Sequence, residues 1–543
     1  MLTEAQKEII ERVDRPNWGG YVAKNPGEDS VSIRKVGDRL LVFRALDVDA
    51  PGGGVFVYFP ASGKTIELTR RQVTALQVDE PISDDQLDGL FPGLKIETIP
   101  ASGWVLPNVP VDSPTENLRS RTLVLNPTEQ CNIRCTYCYY GGAYEGTRNH
   151  QTLEPSADDL ETAIREFLVD EKRVIDSQQA IYFFGGEPLL GFKKMEQAMA
   201  VINERRREVG TEFPKLILQV NTNGMLLNDK IMQFLVDNDI YMNVSIDGPN
   251  HDLYRIDRRG KGTHDRVRAK IEWVADRWPD YFARRVAIIC VLSQPLDTRK
   301  MYQYFAEWDV AQRALAWDFD LVLPGGSGSY DEFQQLFDEQ DKIWDLFVSA
   351  HINERTDRER SFRFHYAFSH GFLHRSFHRA LNQKQKIEDP ARVDNLLGVQ
   401  LVPGSEYLVL GADGTYYTSY EYQAAEFATG TVATGVDYSI GMEQLSSFAD
   451  GAQTSSCSSC WAVRMCTVNF PEAPFARTDS STKTEQKAAA KVARCRSERT
   501  NLRKALEAVQ EIEMRFGADR LDEHREDWVQ QKELGPSIEG FNE

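Results

Sequence analysis

No apolar stretch in this sequence approaches the ~18 residues that cross a bilayer, which argues against a membrane-spanning helix. The amino-terminal stretch MLTEAQKEIIERVDRPNW is charged throughout and has no apolar core of the kind a signal peptide needs, so a cytoplasmic location is expected. Positive charge is in deficit. With 63 Lys and Arg against 82 Asp and Glu, the net charge is −19, the wrong sign for a chain that must neutralise phosphates, so no nucleic-acid partner is expected. Cysteine is scarce, 8 in 543 residues, and a reducing cytosol turns thiols toward metal ligation or catalysis and away from disulfides. Internal repeats and low-complexity segments are missing too. What remains is an ordinary globular composition, 41% hydrophobic and 27% charged, long enough for roughly two to four domains.

Residues 1–112 read as a small separate unit. RLLVFRAL and VFVYFP have strand composition with a turn at APGGG, ASGKTIELTRRQVTALQ reads as turn, short strand and helix, and SDDQLDGLF as a capped helix. The stretch NVPVDSPTEN (108–117) is the expected linker. From 118 to 325, six apolar runs (RTLVLNP, AIYFFGG, LILQVNTNG, YMNVSIDGP, RVAIICVLS, LAWDFDLVLP) alternate with amphipathic stretches at 155–173, 192–209, 228–238 and 263–277. Such alternation predicts an α/β fold around a parallel sheet, with chemistry at the carboxyl ends of its strands. EQCNIRCTYC, GGEP, NTNG and SIDGP all fall at such ends. Residues 326–395 read as a helical bridging region, 396–515 as a further domain opening with a hairpin that turns at Asp413 and Gly414, and 516–543 as a polar tail.

Three of the few thiols, Cys131, Cys135 and Cys138, crowd into CNIRCTYC. Disulfides use cysteines in pairs, so a trio points to a metal centre with one open position. Soft thiolates suit zinc or iron–sulfur clusters, and structural zinc needs a fourth ligand that this segment lacks, its nearest histidine being His150.

The Cys-x3-Cys-x2-Cys spacing, with Tyr137 before the last cysteine, followed by GGEP and SIDGP, resembles the signature of the radical S-adenosylmethionine (SAM) superfamily. The resemblance covers ~120–500 and implies a partial (β/α)6 TIM-like barrel. It also implies a 4Fe-4S cluster on Cys131, Cys135 and Cys138 whose open iron binds SAM, and an external one-electron reductant of the flavodoxin or ferredoxin type. On that resemblance Gly185 and Gly186 allow close backbone approach to a ligand, and Glu187 accepts from the SAM ammonium. Asn221, Thr222, Asn223 and Ser245 offer neutral hydrogen bonds to ribose or carboxylate, and Arg255 pairs with the SAM carboxylate.

A second group, Cys457, Cys460, Cys466 and Cys495, suits either a closed zinc site or an iron–sulfur cluster on composition. It resembles the SPASM domain of peptide-acting radical SAM enzymes, with losses: Thr418 and Ser419 stand where one family cysteine is expected, and Phe470 where another is. The implication is one auxiliary 4Fe-4S cluster on these four residues. The front unit resembles the PqqD-like winged-helix module that recognises leader peptides by β-augmentation, implying a ribosomally made precursor peptide as substrate. The resemblance leaves the modification open between a cross-link (thioether, C–C or ether) and epimerisation. Cys290, inside VAIICVLS, is expected in the core. His370, His374 and His378 share a helical face expected to pack near the substrate cavity, and the candidates for a base lie in this region or at Asp320.

Overall fold

A computed structural model describes residues 40–44, 54–60, 63–76, 83–92, 120, 122–141, 148–168, 179–213, 215–321, 377, 380–381, 407–420, 423, 425, 428–437, 439–440, 460–462, 465–466, 483–517 and 521. The linker at 108–117, His370, His374, His378, Cys457 and Phe470 lie outside the described residues, as do nearly all of 326–395 and of the tail.

The front unit holds three antiparallel strands in the order β1 (Leu41–Arg44), β2 (Val55–Phe59), β3 (Lys64–Glu67). The ribbon therefore has a third strand, KTIE, paired along β2. Alternation along β2 serves two cores: Val55, Val57 and Phe59 pack with Leu68, Leu76, Leu87 and Phe91, while Phe56 and Tyr58 join the main core. Two helices follow, α1 (Arg70–Leu76) and α2 (Asp84–Leu90). The second starts in a capping box, in which Ser83 Oγ accepts from Gln86 N at 3.3 Å and Gln86 Oε1 accepts from Ser83 N at 2.9 Å.

All six apolar runs form strands. β4 (Thr122–Leu125) is followed by the short β5 (Ile133–Cys135) and helix α3 (Ala157–Leu168). Then come β6 (Gln179–Phe183), α4 (Phe192–Val209), β7 (Leu216–Thr222), α5 (Asp229–Asp237) and β8 (Tyr241–Ser245). After α6 (His251–Tyr254) and β9 (Arg255–Asp257) the chain forms α7 (His264–Arg277), α8 (Pro279–Arg285), β10 (Val286–Leu292), α9 (Thr298–Glu307), α10 (Asp309–Gln312) and β11 (Ala316–Leu321). The sheet runs β11-β10-β8-β7-β6-β4, every neighbour parallel. The hairpin turning at Gly414 does not stand apart. β12 (Tyr407–Leu410) pairs parallel with β4, and β13 (Thr415–Tyr417), β14 (Ala428–Thr431) and β15 (Gly435–Val436) extend the same sheet to ten strands.

One face of the parallel sheet, through Ile181, Leu218, Met242, Ile288, Cys290 and Phe319, packs into the main core with the helices. Cys290 is fully buried there, as expected. Helix α11 (Lys483–Phe516) contributes Leu502, Leu506, Val509 and Ile512 to that core and packs on β1, the first described strand. Among the described residues no helix is long and apolar enough to cross a membrane.

Candidate active site

The loop leaving β4 carries the three cysteines, and backbone hydrogen bonds fix it from two sides. On one side the GGEP loop after β6 lies against it: Gly186 N donates to Thr128 O at 3.0 Å and Glu187 N to Gln130 O at 2.7 Å. The contact demands glycine. A Cβ on Gly186 would stand 2.3 Å from Gln130 O, and one on Gly185 2.0 Å from Asn126 Oδ1. These glycines thus admit a neighbouring loop of the protein itself. On the other side β5 pairs antiparallel with β9, Cys135 opposite Arg255, and Thr136 N donates to Tyr254 O at 3.1 Å.

Glu187 does not point out of its loop. Its buried carboxylate accepts from Leu189 N at 3.1 Å, Thr222 Oγ1 at 2.7 Å and Asn223 N at 2.8 Å, clamping the GGEP and NTNG loops together. Burial pushes its pKa up to about 7, against those three donors. Asn223 in turn reaches the cysteine loop. Its Nδ2 lies 3.8 Å from Cys131 Sγ and donates to Asn132 Oδ1 at 2.7 Å, the kind of contact that tunes a sulfur ligand.

Tyr137 and Arg255 meet at a residue the sequence reading passed over. Asp247, fully buried, accepts from Arg255 Nε at 2.8 Å, from Tyr137 OH, and from Val291 N at 3.0 Å. The Arg255 guanidinium also lies over the Tyr137 ring, 5.5 Å from its centroid. The available signal was the carboxylate inside SIDGP, at a strand end, eight residues before an arginine. Asn221 and Ser245 sit on the open face of the sheet, with Asn221 Oδ1 buried and without a hydrogen-bond partner. Beside them Tyr182, a tyrosine pushed well above its ordinary pKa by burial, bonds to Asn221 and Asn243.

A further tie joins the loop to the added strands. Arg148 pairs with Glu129 at 3.3 Å and with Asp413 at 3.1 Å, and donates to Gln423 and Tyr417 at 3.0 Å each. Gln423 passes the contact on to the Tyr140 hydroxyl.

The donor set suits a cationic cluster. Burial pushes each of the three thiols up to about 12, with Glu187 adding to it at Cys131 and Arg255 opposing it at Cys135 and Cys138. Alone they would stay protonated at neutral pH, whereas a metal centre supplies the charge that draws out thiolates. Among the described residues no three His, Cys, Asp or Glu side chains are grouped to share one metal ion, and a cubane needs no such grouping because each cysteine binds a different iron. Cys460, Cys466 and Cys495 are half-buried, near the core residues Trp461 and Met465 or on α11, and none of the described cysteines is in a disulfide.

Residues 125–302 match the model of the radical SAM superfamily. The chain carries a radical SAM domain. The chain is 30% identical over 195 residues to a cysteine-type anaerobic sulfatase-maturating enzyme of Clostridium perfringens (35% of this chain, 49% of that one). It is 23% identical over 244 residues to the radical SAM cyclopropyl synthase TigE of Paramaledivibacter caminithermalis (43% and 47%). The chain thus spans about half the length of these curated relatives. A solved structure of native anSMEcpe with bound AdoMet superposes over 70% of this chain and 98% of that one, at 19% identity and a TM-score of 0.50, a likeness of fold.

Proposed function

We propose that the chain is a radical SAM enzyme that modifies a ribosomally made precursor peptide. The observation that carries the reading is the locking of the three-thiol loop between GGEP, NTNG and β9 at the carboxyl ends of a parallel sheet. Cys131, Cys135 and Cys138 would hold a 4Fe-4S cluster and leave one iron for SAM. When bound, the cluster and SAM would supply radical chemistry for hydrogen-atom abstraction from the substrate. The chain's own groups do the positioning. Asp247 fixes Arg255 to meet the SAM carboxylate, Asn223 steadies Cys131, and Asn221 and Ser245 offer hydrogen bonds to SAM. Glu187, its oxygens already engaged, serves as the clamp between loops. The product is a cross-link or an epimerised centre.

Two further parts belong to this reading. Cys457, Cys460, Cys466 and Cys495 hold one auxiliary cluster in a SPASM-like region, and the front unit takes the leader as an added strand on β3. That strand is the sheet edge away from α11, and among the described residues nothing pairs with its outer side. A second reading, supported by the Clostridium perfringens relative, is oxidation of a Ser or Cys in a sulfatase.

Anaerobic incubation of the reconstituted, reduced protein with SAM tests the proposal. 5′-Deoxyadenosine is expected, with about eight irons per chain; about four would remove the auxiliary cluster. Turnover of a sulfatase-derived Cys or Ser peptide, with none of a leader-bearing precursor, would favour the second reading.

A further inference from the structure

On a chain of net charge −19, residues 255–266 hold five cations, Arg255, Arg258, Arg259, Lys261 and Arg266, against Asp257 and Asp265, with Asp247 neutralising the buried Arg255 and Asp252 accepting from His264 N beside the turn. It comprises β9 and the turn after it, and β9 is the strand paired to Cys135. Two of its neighbourhood's cations converge on the first cysteine. The Cys131 carbonyl accepts from Arg134 Nη1 at 2.7 Å and from Arg258 through Nε at 3.2 Å and Nη2 at 2.7 Å. Arg258, Arg259 and Lys261 are exposed. The turn that presents them is rigid, because Asp257 Oδ1 accepts from Arg259 N at 2.9 Å and Lys261 N at 3.0 Å while Oδ2 pairs with Arg266 at 2.9 Å. The positive field is felt by His150, whose pKa falls to about 4 through burial and then through Arg134 and Arg258. Just before β9, α6 exposes Leu253, 57% accessible, an apolar contact beside the cations.

We propose that this strip is the docking surface for an acidic one-electron carrier protein of the flavodoxin or ferredoxin class. The inference rests on the reading that Cys131, Cys135 and Cys138 hold the cluster. Electron tunnelling falls steeply with distance, and Arg258 bridges the exposed turn directly to the backbone of Cys131 through its two hydrogen bonds. Sign supplies the selectivity. The net negative charge of the enzyme repels an acidic carrier, and a basic strip beside the cysteine loop steers it to this end of the molecule. A small charged contact also suits a partner that must leave after each delivery. The carrier loses one electron and the cluster gains one, with no bond made or broken.

The test uses the full chain and the exposed pair Arg259→Glu/Lys261→Glu, with Arg259→Gln/Lys261→Gln as a milder variant and Arg259→Lys/Lys261→Arg as the charge-preserving control. Calorimetric binding of oxidised flavodoxin at low salt is expected to weaken at least tenfold in the reversal, less in the neutral variant and not in the control. Wild-type binding should fade as salt rises. With flavodoxin and its reductase as electron source, 5′-deoxyadenosine formation should fall at least tenfold in the reversal, and with dithionite it should be unchanged. Flavodoxin binding equal to wild type in the reversal overturns the proposal. So does loss of affinity for an acidic precursor peptide while flavodoxin still binds, which would make the strip a peptide site. A wild-type protein that makes no 5′-deoxyadenosine with dithionite refutes the cluster reading, while the binding measurement still decides the surface.

Discussion

The two faces of the central sheet come from the same six strands and differ in almost every side chain. Toward the helices stand Ile181, Leu218, Met242, Ile288 and Phe319, all buried in one core. One residue along, on the open face, stand Tyr182, Asn221, Asn243, Ser245 and Asp318, and the Asn221 and Asn243 positions are register partners on β7 and β8. Parallel strands covered on both sides read as continuous apolar runs. On the second face a smaller apolar cluster of Val124, Tyr182, Val409 and Tyr417 covers β4 and β12, while the polar positions gather on β7 and β8 toward the carboxyl ends, beside the cysteine loop. Stability and chemistry are separated by a step of one residue along each strand.

The sharpest break of that comparison is Cys135→Ala. It removes a half-buried thiol opposite Arg255, and the expected result is complete loss of 5′-deoxyadenosine and of the cluster's paramagnetic signal, with the fold kept by circular dichroism. Next is Ile288→Ala on the helix face of β10, where a fully buried side chain is cut back. Denaturant titration should show a loss of about 2–5 kcal/mol. A loss under about 1 kcal/mol would mean that the helix face is not the principal core.

The strands, α4 and the capping box of α2 were legible because local pattern decides them: apolar runs, amphipathic period and a Ser-x-x-Gln start. The hairpin at Asp413 and Gly414 was legible for the same reason, yet its joining to β4 was not, since parallel pairing across almost three hundred residues leaves no local trace. At the site, the sequence shows which residues gather but not which way a side chain turns. Glu187 turns inward to cap two loops, Gly185 and Gly186 make room for protein, and Asn223 meets a sulfur. Asp247 escaped notice because its importance lies in two partners, Tyr137 and Arg255, brought together by β5 pairing with β9.

A smaller effect comes from His251, buried at the start of α6 just beyond the end of β8. Its Nδ1 accepts from Asp247 N at 3.2 Å, so the proton sits on Nε2, which reaches Thr263 Oγ1 at 2.8 Å. Burial first, then Arg255, lowers its pKa to about 4. A folded value below the unfolded one means that the unfolded chain binds the extra proton. The contribution is therefore complete above about pH 6.5 and declines as pH falls toward 4, by about 2 kcal/mol at pH 5. Melting temperatures measured from pH 7.5 to 4.5 should fall more steeply for wild type than for His251→Gln. Parallel curves would place the acid sensitivity elsewhere.

The smallest expected change in stability belongs to Asn221→Ala, and it tests the open face directly. The side chain bonds to Tyr182 but leaves its buried Oδ1 unused within the protein. Removing an unsatisfied acceptor relieves a cost while the lost hydrogen bond to Tyr182 adds one, so the net effect should stay within about 1 kcal/mol. SAM affinity of the reconstituted protein, by contrast, should fall several-fold, because a donor on the ligand loses the acceptor waiting for it. A stability loss as large as that of Ile288→Ala, with SAM binding untouched, would reverse the assignment and make the polar face a second core.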